Sequence, residues 1–303
     1  MKNNTIVTAL YFTPAHTRIG GRGYSFYHYA APFKNLLNLD ANLVVYSHST
    51  MIPFILQFFK NNEFKDFKII EYDLDNHKYS KDIYRLKEET GIIDKHGLKK
   101  DKSLIDNDRN THLCLSKIDF LNDTIKNSYF ETENYYWVDG GLFHHGIFPE
   151  SLGGMERFTN VNQARFYPTD KNNICTPELL NTIQKKTEGN LTLLGFTRFH
   201  GSPRGFEKLY SEGKKIHIVG GLFGGKKEEV KNLIKRFNKV LDEVFKNNIL
   251  TLEEEVLSCV YTEYLKEVEC LKFTHWGHDK QNERNYLGVP PGSNSFYKLF
   301  LDE

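Results

Sequence analysis

The first 75 residues alternate between short β-type apolar runs and helix-type stretches. Residues 5–12 (TIVTALYF) form an apolar, β-branched run that predicts a first strand. Residues 29–40 (YAAPFKNLLNLD) read as a short helix, and residues 41–47 (ANLVVYS) as a second strand. MIPFILQFFKNN has the wide apolar face of a helix. Residues 67–75 (FKIIEYDLD) read as a third strand that leaves Asp73 and Asp75 at its end. Strands that alternate with helices argue for βαβ units and a mostly parallel sheet flanked by helices, a Rossmann-like α/β fold.

Residues 76–110 are polar and rich in Lys and Asp, and predict a helix or two followed by a loop. In residues 111–130, Leu113, Leu115, Ile118, Leu121 and Ile125 recur at helical spacing, with Asn110 or Thr111 as a cap. Tyr135, Tyr136, Trp137 and Val138 then suit a buried strand, which stops on Asp139, Gly140 and Gly141. CTPELLNTIQKK, from residue 175, predicts a helix, and residues 191–199 another strand. Residues 216–219 predict a strand that leads into Gly220, Gly221, Gly224 and Gly225 around Leu222 and Phe223. That segment reads as a glycine-rich turn before an amphipathic helix that starts near Lys226. Residues 251–268 open a further helix, with Thr251 and Glu254 in the spacing of a capping box. Residues 271–279 are strand-like and end on His275, Trp276 and His278.

The chain has 303 residues, enough for one large α/β domain. We expect a single domain over residues 1–303, with the nucleotide-binding part at about 1–146 and the part for acceptor and donor sugar at about 147–303. With 39% hydrophobic and 26% charged residues, a globular chain is expected. Forty basic against 39 acidic residues leave a net charge of +1, which gives no electrostatic case for nucleic acid. Peripheral membrane contact through a local patch stays compatible with this balance. The start of the chain lacks the long apolar core of a signal peptide, and Cys114, Cys175, Cys259 and Cys270 form no CxxC pair. A cytoplasmic location, with the inner face of the inner membrane within reach, is the expectation.

The chemistry centres on Asp139. A carboxylate at the end of an apolar strand, followed by two glycines, is delivered to the edge of the sheet where ligands bind in open α/β folds. The loop at residues 13–29 has three glycines with Arg18 and Arg22, a composition that suits a diphosphate and equally a plain surface connection. Lys117 lies on the helix that leads into the Asp139 strand. His275 and His278 stand three apart beside Asp279 and are candidate metal ligands.

TIVTALYF, YYWVDGGLF and IHIVGGLFGGKKEEV with LTLEEEVLS behind it stand in an order that resembles the HtrL/YibB (WlaTC-like) family of bacterial proteins tied to lipopolysaccharide and capsule synthesis. More broadly, the chain resembles a GT-A glycosyltransferase. The resemblance implies transfer of a sugar from a nucleotide-sugar donor, with UDP-sugars favoured, to a growing capsule or lipopolysaccharide glycan, with Mn²⁺ or Mg²⁺ as cofactor. It would lay Thr8, Ala9 and Tyr11 along the nucleotide, with Arg22 on the phosphates; the metal, or Arg22 and Lys117 without it, would neutralise the leaving diphosphate. It would pack Gly220, Gly221 and Phe223 on the sugar and place Glu254 or Glu255 in contact with it or in catalysis. Asp139 would hold the metal or the sugar, and His275 or His278 would complete the metal shell. The central motif departs from the Asp-x-Asp pattern, because Val-Asp-Gly has one acid where that pattern has two. Asp73-Leu74-Asp75 and Asp106-Asn107-Asp108 spell the pattern elsewhere. A nucleotidyl- or phosphotransferase of the same pathway and a non-catalytic nucleotide- or sugar-binding protein are the alternative readings.

Overall fold

Seven strands share one sheet in the order β3-β2-β1-β4-β6-β5-β7. They are β1 (Asn4–Ala9), β2 (Asn42–Ser47), β3 (Phe67–Glu71), β4 (Asn134–Val138), β5 (Thr192–Phe196), β6 (His217–Lys226) and β7 (Leu271–Phe273). The helices are α1 (Ile52–Phe59), α2 (Ser80–Thr90), α3 (Asn110–Lys126), α4 (Leu179–Lys186), α5 (Lys227–Lys246) and α6 (Glu253–Tyr264). The computed structural model describes residues 2–11, 33, 36–37, 39–59, 66–90, 110–140, 177–186, 191–196, 217–264 and 271–273. All pairings are parallel except those of β6, which runs antiparallel to both β4 and β5. The fold is a mixed α/β, Rossmann-like arrangement with a mostly parallel central sheet.

Both faces of the sheet are covered, so the central strands are apolar without alternation of polar residues. The side-chain period of two still sorts them by face. Val7, Val44, Tyr46, Tyr135, Trp137 and Phe223 enter one core beneath α2, α3, α5 and α6. Ile6, Leu43, Val45, Tyr136, Val138 and Leu222 enter the other, with α1 and α4. Helix α5 buries Val230, Leu233, Ile234, Phe237, Val240, Leu241 and Val244 from one stripe. Each such side chain contributes ~1.5–3 kcal/mol on burial, well above what helix propensity supplies.

Chain order sets where a ligand can sit. From β1 the chain adds β2 and then β3 on one side, and β4 joins β1 on the other. The strand order therefore reverses between β1 and β4, and the crevice beyond their carboxyl ends is the place open α/β sheets use for ligands. Those ends approach closely: a Cβ on Gly140 would lie 3.4 Å from the Ala9 carbonyl oxygen and 3.0 Å from the Phe33 ring.

Three local expectations are corrected. The GGLFGG segment is a central part of β6, not a turn, and α5 begins only after Lys226. Its glycines serve close packing, because neighbouring strand atoms crowd Gly224, which has φ 151°. Asp73 and Asp75 do not end a strand. Strand β3 stops at Glu71, and Asp73 caps a 3-10 turn at Leu74–Asn76 by accepting the Asp75 N–H at 3.1 Å. The capping glutamate of α6 is Glu255 rather than Glu254. With the helix starting at Glu253, the third helical residue is Glu255, whose Oε2 accepts the Leu252 N–H at 3.1 Å and the Thr251 hydroxyl at 2.8 Å.

Beside the same 3-10 turn, His77 is 2% exposed, accepts the Tyr79 N–H at Nδ1 and lies 3.5 Å from Asp119 on α3. Burial, followed by the charges of His112 and Lys78, pushes its pKa down to about 4. Unfolded His77 takes up a proton near pH 6.5, so its contribution to stability is complete above that pH. It is lost as the pH falls toward 4. Burial raises Asp119 to about 6, which acts in the opposite sense across part of that window, but its side chain is 36% exposed and solvent screens it. The folding free energy should therefore drop by up to ~3 kcal/mol between pH 6.5 and 4 from His77. A His77→Asn variant, which can still accept the Tyr79 N–H, should show a flatter pH profile in urea unfolding. An unchanged profile would refute this origin.

Candidate functional site

Strand β4 ends at the crevice and carries Asp139 onto the face where α3 packs. Two residues earlier on that face, Trp137 donates its Nε1–H to Asp139 Oδ1 at 2.7 Å. On α3, Lys117 points at the same carboxylate, with Nζ 2.9 Å from Oδ1 and 3.2 Å from Oδ2. The Lys117 ammonium also donates to the Gly220 carbonyl at 3.0 Å and to Glu253 Oε1 at 2.7 Å. It lies 5.6 Å from the centre of the Trp137 ring, over a face that attracts cations. Its three protons are thus matched by three acceptors from β4, β6 and α6.

An irregularity in β6 supplies the carbonyl. Leu193 pairs with Phe223 and Leu194 with Val219, so Gly220, Gly221 and Leu222 have no partners on β5 at this break in register. Leu222 pairs with Val138 of β4 instead, the Gly221 carbonyl accepts the Asp139 N–H at 2.8 Å, and the Gly220 carbonyl is left for Lys117. A Cβ at position 220 would overlap Glu253 Oε1 and lie 2.8 Å from Glu253 Cδ, so a side chain there would displace Glu253 from its place beside Lys117. Glycine is what lets the first turn of α6 reach Lys117.

The electrostatics follow burial. Lys117 and Glu253 are 6% and 4% exposed, whereas Asp139 is 36% exposed and is the member of the group that can meet a ligand. Burial opposes the charge on Lys117, but Asp139 and Glu253 outweigh it and hold the pKa well above that of a free lysine. For Asp139, burial pushes the pKa up, against the pull of Lys117 and the Trp137 hydrogen bond. Burial, then the Glu253 charge, likewise raises the Cys114 thiol and leaves it protonated.

Of the residues singled out in the sequence, Asp139, Lys117, Gly220 and Gly221 come together here. Glu254 is close, with Oε1 at 3.5 Å from the Gly220 N–H, whereas Glu255 is engaged in the cap of α6. Phe223 is 0% exposed and packs beside Trp137 at 6.5 Å between ring centres, so its ring is enclosed in the core. Thr8 is also fully buried within β1, and Ala9 is 9% exposed at the end of that strand. Tyr11 donates its hydroxyl to the Tyr72 carbonyl at 2.9 Å. Arg22, His275 and His278, together with Asp106 and Asp108, lie outside the described residues.

The sequence pattern groups Glu253 with Glu254 and Glu255 without singling it out, and marks Trp137 only as a buried strand residue. The strand period offered a signal for Trp137, which must share a face with Asp139. For Glu253 the signal was only that it is one of three acids at a helix start. The described residues do not by themselves make a metal centre. Among the described residues no group of three or more His, Cys, Asp or Glu could hold an ion, and a fixed ammonium already contacts Asp139. No helix of the described residues is long and apolar enough to cross a membrane.

No family model and no curated protein matches the chain. Among solved structures, it is similar to 4-diphosphocytidyl-2C-methyl-D-erythritol synthase from Anaerococcus prevotii DSM 20548, with a TM-score of 0.39 and 7% identity over 89% of this chain and 88% of that one.

Proposed function

We propose that the chain is a nucleotide-sugar-using transferase, a glycosyltransferase that moves a sugar from the donor to a growing surface glycan. One observation carries the reading: Asp139 stands half-exposed at the carboxyl end of β4, next to the reversal of strand order, with its orientation held by Trp137 and Lys117. A carboxylate held in this way accepts hydroxyl protons and fixes a sugar or ribose in one pose, which lowers the entropy cost of reaching the reactive geometry. Lys117 keeps the carboxylate in place and offsets its charge. Since each of its protons has an acceptor, its part in the reaction is to position Asp139 rather than to bind a diphosphate directly. The surface-polysaccharide acceptor rests on the sequence resemblance.

Asp139→Asn should lower transfer by roughly 10²–10³-fold, the scale of losing one fixed polar contact to a reacting substrate. The fold should survive, because Lys117 keeps Glu253 as a partner. Donor turnover is followed by release of nucleoside diphosphate, whereas pyrophosphate as the product would indicate nucleotidyl transfer. A folded Asp139→Asn protein with full activity would overturn the assignment.

A further inference from the structure

We infer that Lys117 is the resident cation of this site, so that Asp139 receives sugar hydroxyls and not a divalent metal. The cation claim stands on geometry, and the choice of sugar hydroxyls rests on the transferase reading above. Hard divalent ions sit about 2.1–2.5 Å from a carboxylate oxygen. An ion at that distance from either oxygen of Asp139 would lie within about 6 Å of the Lys117 ammonium, which is 2.9 Å from Oδ1 and 3.2 Å from Oδ2. In a partly buried site two like charges so placed repel strongly.

Lys117 cannot step aside cheaply. It would leave the Gly220 carbonyl and the 4%-exposed Glu253 without their donor. Oδ1 already accepts from Trp137 as well as lying against Lys117. The accessible lone pairs of Asp139 therefore face neutral donors best, and a hydroxyl supplies one without adding charge. The Val-Asp-Gly sequence agrees with this, since Gly140 and Gly141 add no second carboxylate that could share an ion.

The test is Mn²⁺ binding to the full-length chain, stripped with EDTA and titrated while free Mn²⁺ is followed by electron paramagnetic resonance. Asp139→Asn should leave Mn²⁺ binding within threefold of the unaltered protein, whether or not an ion binds elsewhere. A loss of threefold or more in that variant would overturn the inference. Lys117→Met should gain Mn²⁺ binding that disappears in Lys117→Met/Asp139→Asn, and the comparison at Asp139 alone decides the matter if the lysine variant does not fold. In parallel, the thermal shift from UDP-glucose beyond that from UDP should persist in EDTA and be lost in Asp139→Ala. If no nucleotide sugar stabilises the unaltered protein, the transferase reading fails, while the Mn²⁺ titration still decides the cation claim.

Discussion

Lys117→Met should destabilise the protein by ~3–5 kcal/mol, the cost of breaking a buried ion pair by removing one partner. The reason lies in what stays behind. Glu253 is 4% exposed, so it loses its cation in a place that water reaches poorly, whereas Asp139 at 36% is partly solvated and contributes less. Gly220 loses a hydrogen-bond donor as well. Methionine fills a similar volume, which separates the charge effect from a cavity effect. Adding Glu253→Gln to Lys117→Met should recover a large part of the loss, because it removes the more deeply buried orphan charge. Urea unfolding of the two variants measures both effects. A loss below ~1 kcal/mol for Lys117→Met would mean that water or another cation serves the carboxylates.

Gly224→Ala should cost more than ~4 kcal/mol, in the range reserved for substitutions that the backbone cannot absorb. Gly224 sits in the central strand β6 opposite Tyr136, with φ 151°. A methyl group there would overlap the Tyr135 carbonyl oxygen and lie 2.6 Å from Tyr136 Cα. These are main-chain atoms of β4, the strand that ends in Asp139, so relief requires opening the ladder between β4 and β6. Positive φ adds strain of its own for any residue with a Cβ. A Leu56→Gln variant provides the contrast. Leu56 is 45% exposed on α1, and its replacement should change stability by no more than ~0.5 kcal/mol. Comparable midpoints of denaturation for the two variants would refute the packing account of Gly224.

The site was legible in part. Asp139 could be placed from sequence because its signal is local, an apolar β-type run that ends in an acid and two glycines. Lys117 could be suspected from its helix alone. Glu253 could not, because the sequence made three neighbouring glutamates equivalent and helix phase alone separates them. A shift of one residue at the start of α6 sends Glu255 back to the cap and Glu253 inward to Lys117. Helix boundaries are the least certain feature of a sequence pattern.

What the sequence determined by itself was the alternation of elements and the parallel part of the sheet. Those depend on periodicity within ten or so residues, and most strands and helices stand where the apolar runs put them. Only the tertiary structure decided that GGLFGG is a strand. A segment with four glycines has no intrinsic β preference, and it becomes extended because β4 pairs with Leu222, Phe223, Gly224 and Gly225, and β5 with Phe223 and Gly224 from the other side. The same holds for the site. Lys117 meets Asp139, Gly220 and Glu253 across sequence separations of 22, 103 and 136 residues. Such contacts leave no local periodicity, since they exist only when β4, β6, α3 and α6 are packed together.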